Sequence, residues 1–172
     1  MASDLMIRIA DIVQDSIVDG PGIRMTIFTQ GCPHHCAGCH NPHTHDPHGG
    51  HVVNVDNVVD KMRNNPLLDG ITFSGGEPLE QKEAVIYIAN SAHRLGLNVW
   101  CYTGWTWEEI MGDPHKRGLL AYIDVLVDGR FVLAQRSLSL KWRGSANQRV
   151  IDVAESLFSG QVVEVEDAHE TD

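Results

Sequence analysis

Three cysteines lie within eight residues of one another, in GCPHHCAGCHNP at 31–42, and this cluster constrains the chain more than any other feature. The spacing is C-x3-C-x2-C, at Cys32, Cys36 and Cys39. In a cytosolic chain, thiols so close together point to metal binding or redox chemistry before structural disulfides. The stretch from Cys32 to His51 is too rich in Pro, His and Gly for a regular element and is expected to be a loop. Before it comes RMTIFTQG at 24–31, whose apolar and polar residues alternate as in a strand. The fold must therefore carry a ligand-bearing loop at the carboxyl end of a strand.

Two chemistries suit the triplet. Thiolates are the usual ligands of iron–sulfur clusters, which ordinarily take four. Three ligands without an obvious fourth would leave one iron open to a substrate, as catalytic zinc sites leave one position open. The alternative is structural zinc, with His34, His35 or His40 completing a tetrahedron. Spacing alone leaves both open. Cys101 stands apart in LNVWCYT and reads as a buried strand residue. The seven histidines between 34 and 51 read as a solvated loop or a partner surface, with a second metal site as the alternative.

The rest of the chain alternates strands with helices. VDNVVDKMRNN at 55–65 has helical apolar spacing, with Asn54 as its cap. GITFS at 70–74 is a strand running into two glycines, and LEQKEAVIYIANSAHRLG at 79–96 is a helix closed by Gly96. LNVWCYT at 97–103 is a strand, TWEEIMG at 106–112 a short helix capped by Thr106, YIDVLVDG at 122–129 a strand, and QRVIDV at 148–153 a last one. This order predicts an α/β fold on a parallel sheet. Functional groups in such sheets gather at the carboxyl ends of strands, which here run into QGC, SGGE, YTGW and VDGR. With 172 residues the chain is too short for an eight-unit barrel. A partial, open (βα) barrel with parallel strands is expected, as one domain over 1–163 with an acidic, frayed tail at 164–172.

SGGEP at 74–78 is a second candidate site. Two glycines let a backbone approach a ligand closely. Carbonyls there, with the Glu77 carboxylate, can accept hydrogen bonds from an ammonium group. An ordinary strand–helix turn opened by Pro78 would look the same in isolation. Its position one strand after the cysteine triplet favours the ligand. The formal net charge of −10 argues against nucleic acid as a partner. No apolar run is long enough to span a bilayer, and the first residues do not read as a signal peptide, so a cytoplasmic protein is expected.

The two motifs together resemble the radical S-adenosylmethionine superfamily, in which the cysteine triplet follows the first strand and GGE the second. IVDGPGIRMTIFTQGC at 17–32 is similar to the N-terminal signature of the glycyl-radical-enzyme activases. DVLVDGRF at 124–131 and LSLKWRGSANQRVIDV at 138–153 resemble the activating proteins of anaerobic ribonucleoside-triphosphate reductase. The resemblance implies a 4Fe-4S cluster on Cys32, Cys36 and Cys39 with one open iron, where S-adenosylmethionine is cleaved reductively. The resulting radical would take a hydrogen atom from a glycine of the reductase. A flavodoxin-type protein is the implied electron donor. The resemblance places the methionine amino group at Gly75, Gly76 and Glu77, and the adenine near Gly38, Cys39 and His40. Gly38 departs from the superfamily pattern, which commonly has an aromatic residue there. Asp128 and Arg130, just beyond a strand end, either face the cofactor, with Arg130 pairing with the methionine carboxylate, or form a surface turn with a solvated ion pair. Trp142, Arg143, Asn147, Gln148 and Arg149 read either as partner contacts or as a packed C-terminal cap. The rival functions are an activase of another glycyl radical enzyme such as pyruvate formate-lyase, a deazaguanine-type radical synthase, and a zinc-binding module.

Overall fold

The computed structural model describes residues 3–166. In chain order, the strands are β1 Met6–Ser16, β2 Arg24–Thr29, β3 His51–Asn54, β4 Gly70–Gly75, β5 Asn98–Tyr102, β6 Val125–Asp128 and β7 Arg149–Asp152. The helices are α1 Val55–Arg63, α2 Lys82–Arg94, α3 Trp107–Met111, α4 Pro114–Arg117 and α5 Val153–Ser159. The strands form one open sheet in the order β3-β1-β2-β4-β5-β6-β7. The four central strands, β2, β4, β5 and β6, are parallel, as the alternation of elements predicts. Antiparallel strands flank them: β1 and β3 on one side, β7 on the other.

Local chemistry sets the helix starts. The Asn54 side chain accepts the Asp56 N–H at the head of α1. Thr106 and Glu109 form a reciprocal capping box on α3. The helix expected from 79 starts later, because Pro78–Gln81 first makes a 3-10 turn. β1 escapes sequence reading because register shifts between Ile9 and Asp11 and between Val13 and Ser16 break its two-residue alternation. In the stretch read as a tail, Val165 N–H bonds to Val150 O at 2.8 Å, and Glu164 bridges to Ile151. The remainder of that tail, 167–172, lies outside the described residues.

The main core lies between the sheet and the helices. It joins Ile27, Ile71, Phe73 and Cys101 to Val58, Val85, Ile88 and Ile110. Trp100, Val127 and Val150 form a smaller cluster, packed with Tyr102 and Trp142. Arg24 is fully buried at the amino end of β2. Its guanidinium donates to Pro21 O, Ile71 O, Thr72 Oγ1 and Asn98 Oδ1. It thereby fastens the amino ends of β2, β4 and β5. Burial lowers its pKa to about 10, so it remains a cation at neutral pH. Among the described residues, no helix is long and apolar enough to cross a membrane.

Candidate active site

The carboxyl ends of the parallel strands open into a cavity of about 490 Å³. Cys32, Cys36 and Cys39 all line it, together with Ser74, Gly75 and Gly76 after β4, Tyr102, Thr103 and Gly104 after β5, and Gly129 after β6. The two sequence motifs therefore face one space. His40 lines it as well.

The surroundings of the thiols suit a cluster. Burial pushes the Cys32 thiol up, and the backbone N–H groups of His34 and His35 oppose that by bonding to its sulfur. Asn41 N–H lies 3.4 Å from Cys39 Sγ. Such donors favour thiolate and tune the potential of a bound cluster. His35 adopts a φ of +50°, uncommon for a side-chain-bearing residue, in the turn that presents these N–H groups. A cluster takes each thiolate at a separate iron, which suits three cysteines lining one cavity.

The glycines of SGGEP face protein as well as cavity. Gly75 has a φ of +91°, and a Cβ there would lie 2.7 Å from Thr29 N and O. A Cβ on Gly76 would lie 2.5 Å from Gly31 O, just ahead of Cys32. The close approach inferred from sequence is thus first to the cysteine loop itself. The Glu77 side chain is fully buried and already holds four donors. Its Oε1 accepts from His34 Nε2 at 2.7 Å, Gly104 N at 2.8 Å and Thr103 Oγ1 at 2.9 Å. Its Oε2 accepts from Leu79 N at 3.0 Å and shares the Thr103 hydroxyl. The carboxylate expected to meet an ammonium group is therefore occupied by the protein.

Asp128 and Arg130 are turned to other partners. Asp128 is buried, accepts Trp107 N–H at 2.8 Å and pairs with Arg149. Arg130 pairs with Glu109 at 3.0 Å and lies over the Trp105 ring. Both contacts arise because α3 brings its first-turn acids and the Trp107 N–H against the end of β6. The cation that does line the cavity is Arg143. Its Nη1 donates to Gln148 O at 2.8 Å, while its Nε is shut off from water without a partner.

The KWRGSANQR stretch packs as a cap against β5 and β6. Trp142 stacks edge-on against Trp100 at 5.0 Å, and its carbonyl accepts the Tyr102 hydroxyl at 2.6 Å. Gln148 Oε1 accepts Gly144 and Ser145 N–H, and Asn147 Nδ2 donates to Arg130 O. The stretch between β6 and this cap closes over the cysteine loop. Phe131 meets His40 at 5.1 Å between ring centroids, and Leu133 fills the space beside Gly38, which has a φ of +72°. Leu133 thus packs where the superfamily pattern would place a side chain before the third cysteine.

Comparison with known proteins agrees with this geometry. A family model described as a 4Fe-4S single cluster domain matches residues 18–151. An anaerobic ribonucleoside-triphosphate reductase-activating protein of Vibrio cholerae is 36% identical over 140 residues, covering 77% of this chain and 89% of its own. The protein of the same description from Haemophilus influenzae is 37% identical over 142 residues, covering 77% and 89%. That from Escherichia coli K12 is 35% identical over 143 residues, covering 78% and 91%. Among solved structures, QueE from Escherichia coli matches with a TM-score of 0.49 and 16% identity, over 59% of this chain and 54% of that one.

Proposed function

The chain belongs to the family of anaerobic ribonucleoside-triphosphate reductase-activating proteins, and from that premise we propose that it installs a glycyl radical on such a reductase. One observation carries the reading: the three thiols and the SGGEP backbone line the same cavity, whose volume suits a nucleoside-sized ligand. A bound 4Fe-4S cluster supplies the electron that cleaves S-adenosylmethionine and releases the radical that takes hydrogen from glycine.

The chain's own residues hold and orient. Cys32, Cys36 and Cys39, which line the cavity, would hold three irons of the cluster and leave one without a protein ligand. The backbone of Gly75 and Gly76 receives the methionine ammonium group, while Glu77 fixes that backbone in place. The backbone at Gly38, Cys39 and His40 flanks the adenine. Arg143, the arginine that lines the cavity, takes the methionine carboxylate in place of Arg130. Phe131 and Trp142 supply apolar wall that keeps water from a reactive radical. A flavodoxin-type protein serves as the electron donor in the cytoplasm, a reading supported by the resemblance to the activases.

The test is anaerobic reconstitution with iron and sulfide, then reduction with S-adenosylmethionine beside the purified reductase. A glycyl-radical doublet by electron paramagnetic resonance is expected on the reductase. Reconstituted protein that cleaves S-adenosylmethionine but produces the doublet only on pyruvate formate-lyase would reassign the partner. Zinc bound without iron or sulfide would overturn the reading.

A further inference from the structure

The family premise accounts for the three cysteines but not for the histidine two residues after the first of them. We propose that His34 is a positioning residue, which locks the cysteine loop to the SGGEP strand end through the Glu77 carboxylate. The inference rests on the functional reading above for its consequences, and on geometry for its substance.

Three segments leave three parallel strands at the site: the cysteine loop after β2, residues 76–79 after β4 and Thr103-Gly104 after β5. The Glu77 carboxylate collects a donor from each. A buried carboxylate is costly unless its oxygens are hydrogen-bonded, so the donors and the charge hold each other in place. Thr103 and Gly104 bond from a neighbouring strand end that the β4–β5 ladder already positions. His34 is different. It reaches Glu77 from an irregular loop 43 residues away and is the donor that the cysteine loop contributes.

The surroundings are shaped for that ring. The His34 side chain is 4% exposed, and Trp105 packs against it edge-on at 4.7 Å. Gly104 makes room for it, since a Cβ there would lie 2.3 Å from His34 Cδ2. An acceptor-only carboxylate at 2.7 Å places a hydrogen on Nε2. That nitrogen is thereby committed to Glu77 and is not available to a metal. His34 stands between Cys32 and Cys36, so tethering its ring fixes the arc of loop between two of the three thiols. It also holds that arc against the glycines proposed to receive the methionine group.

The geometry distinguishes a tether from a space-filling ring. Glutamine can offer an amide N–H near the position of Nε2, while asparagine is shorter and reaches only the position of Nδ1. His34→Ala, His34→Asn and His34→Gln are to be compared with wild type for iron retained after anaerobic gel filtration, for S-adenosylmethionine affinity by calorimetry, and for melting of the metal-free protein. Loss of one charge-assisted hydrogen bond predicts roughly tenfold weaker binding in the Ala and Asn variants. It also predicts lower iron retention there, with Gln returning both to within about twofold of wild type. Equal behaviour of Ala and wild type, or of Gln and Ala, would overturn the proposal. If wild type itself takes up no iron, the functional reading fails instead. The metal-free melting temperatures then decide: the tether requires Ala and Asn to fall and Gln to stay near wild type.

Discussion

Asp128 and Arg149 stand opposite each other in the β6–β7 ladder and join their side chains in an ion pair that is buried on the Asp128 side. Arg149 also reaches Glu108 on α3, so one guanidinium ties the last two strands to a helix. Removing it strands a buried carboxylate, which costs more than the pair contributes. Arg149→Met is expected to lower stability by about 3 kcal/mol in urea unfolding. Adding Asp128→Asn should recover part of that loss. An Arg149→Met variant as stable as wild type would show the pair to be dispensable.

The cysteines separate into two kinds. Cys32→Ala, Cys36→Ala and Cys39→Ala should each abolish iron–sulfur uptake on anaerobic reconstitution. Cys101 lies fully buried in the main core, where burial pushes its thiol well up, and it does not line the cavity. Cys101→Ala should retain iron at the wild-type ratio and lose only about 1 kcal/mol of stability to the small void.

Gly76→Ala tests the contact between the two motifs. The new methyl would press on the Gly31 carbonyl, which backbone alone supplies and which cannot swing away. An overpacking cost of about 1–3 kcal/mol is expected. Displacement of the cysteine loop should lower iron uptake along with S-adenosylmethionine affinity. Normal iron with weakened cofactor binding would instead mean that Gly76 meets the ligand alone.

Arg143 and Arg130 should behave differently. Arg143→Ala is expected to weaken S-adenosylmethionine binding by roughly tenfold, read by calorimetry on reconstituted protein with iron measured in parallel. Unchanged affinity at equal iron would remove Arg143 from the methionine site.

Arg130 acts on stability through Glu109. The guanidinium holds that carboxyl down to about 2, from an ordinary value of 4.5. A lowered folded-state value stabilises the protein above the unfolded value, and the benefit is lost as pH falls toward the folded one. Both side chains are more than a third exposed, so solvent screening keeps the contribution below about 1 kcal/mol. Arg130→Ala should therefore show a small deficit at neutral pH that disappears between about pH 4.5 and 2. A deficit that grew on acidification would contradict this pairing.

What sequence could reveal depended on distance along the chain. The caps at Asn54 and Thr106 were legible because each side chain bonds to backbone two or three residues away. The parallel core strands and the glycine-rich ends were legible from periodicity and punctuation. β1 was not, since its bulges disrupt the alternation that marks a strand. β3 is four residues at the end of a His-rich loop, too short to stand out. The identity of the thiols as a set was plain, but the use of Glu77 was not. Its donors lie up to 43 residues away, and nothing in SGGEP announces that a histidine will fill its carboxylate. For Arg130 the sequence left a cofactor contact and a surface ion pair open, and its partner Glu109 lies 21 residues away, on a helix that only the fold brings to the end of β6.

Arg24 and Glu77 sit at opposite ends of the same three strands. The cation binds β2, β4 and β5 where they begin, and the anion binds the segments where they finish. A one-residue slip of β4 would turn its side chains to the wrong face and pull both buried charges off their partners at once. Misaligned pairings are thus penalised twice, at sites far apart. The assembly is forced to choose its alignment before either motif can meet the other, which makes correct threading of the sheet a precondition of chemistry rather than a background to it.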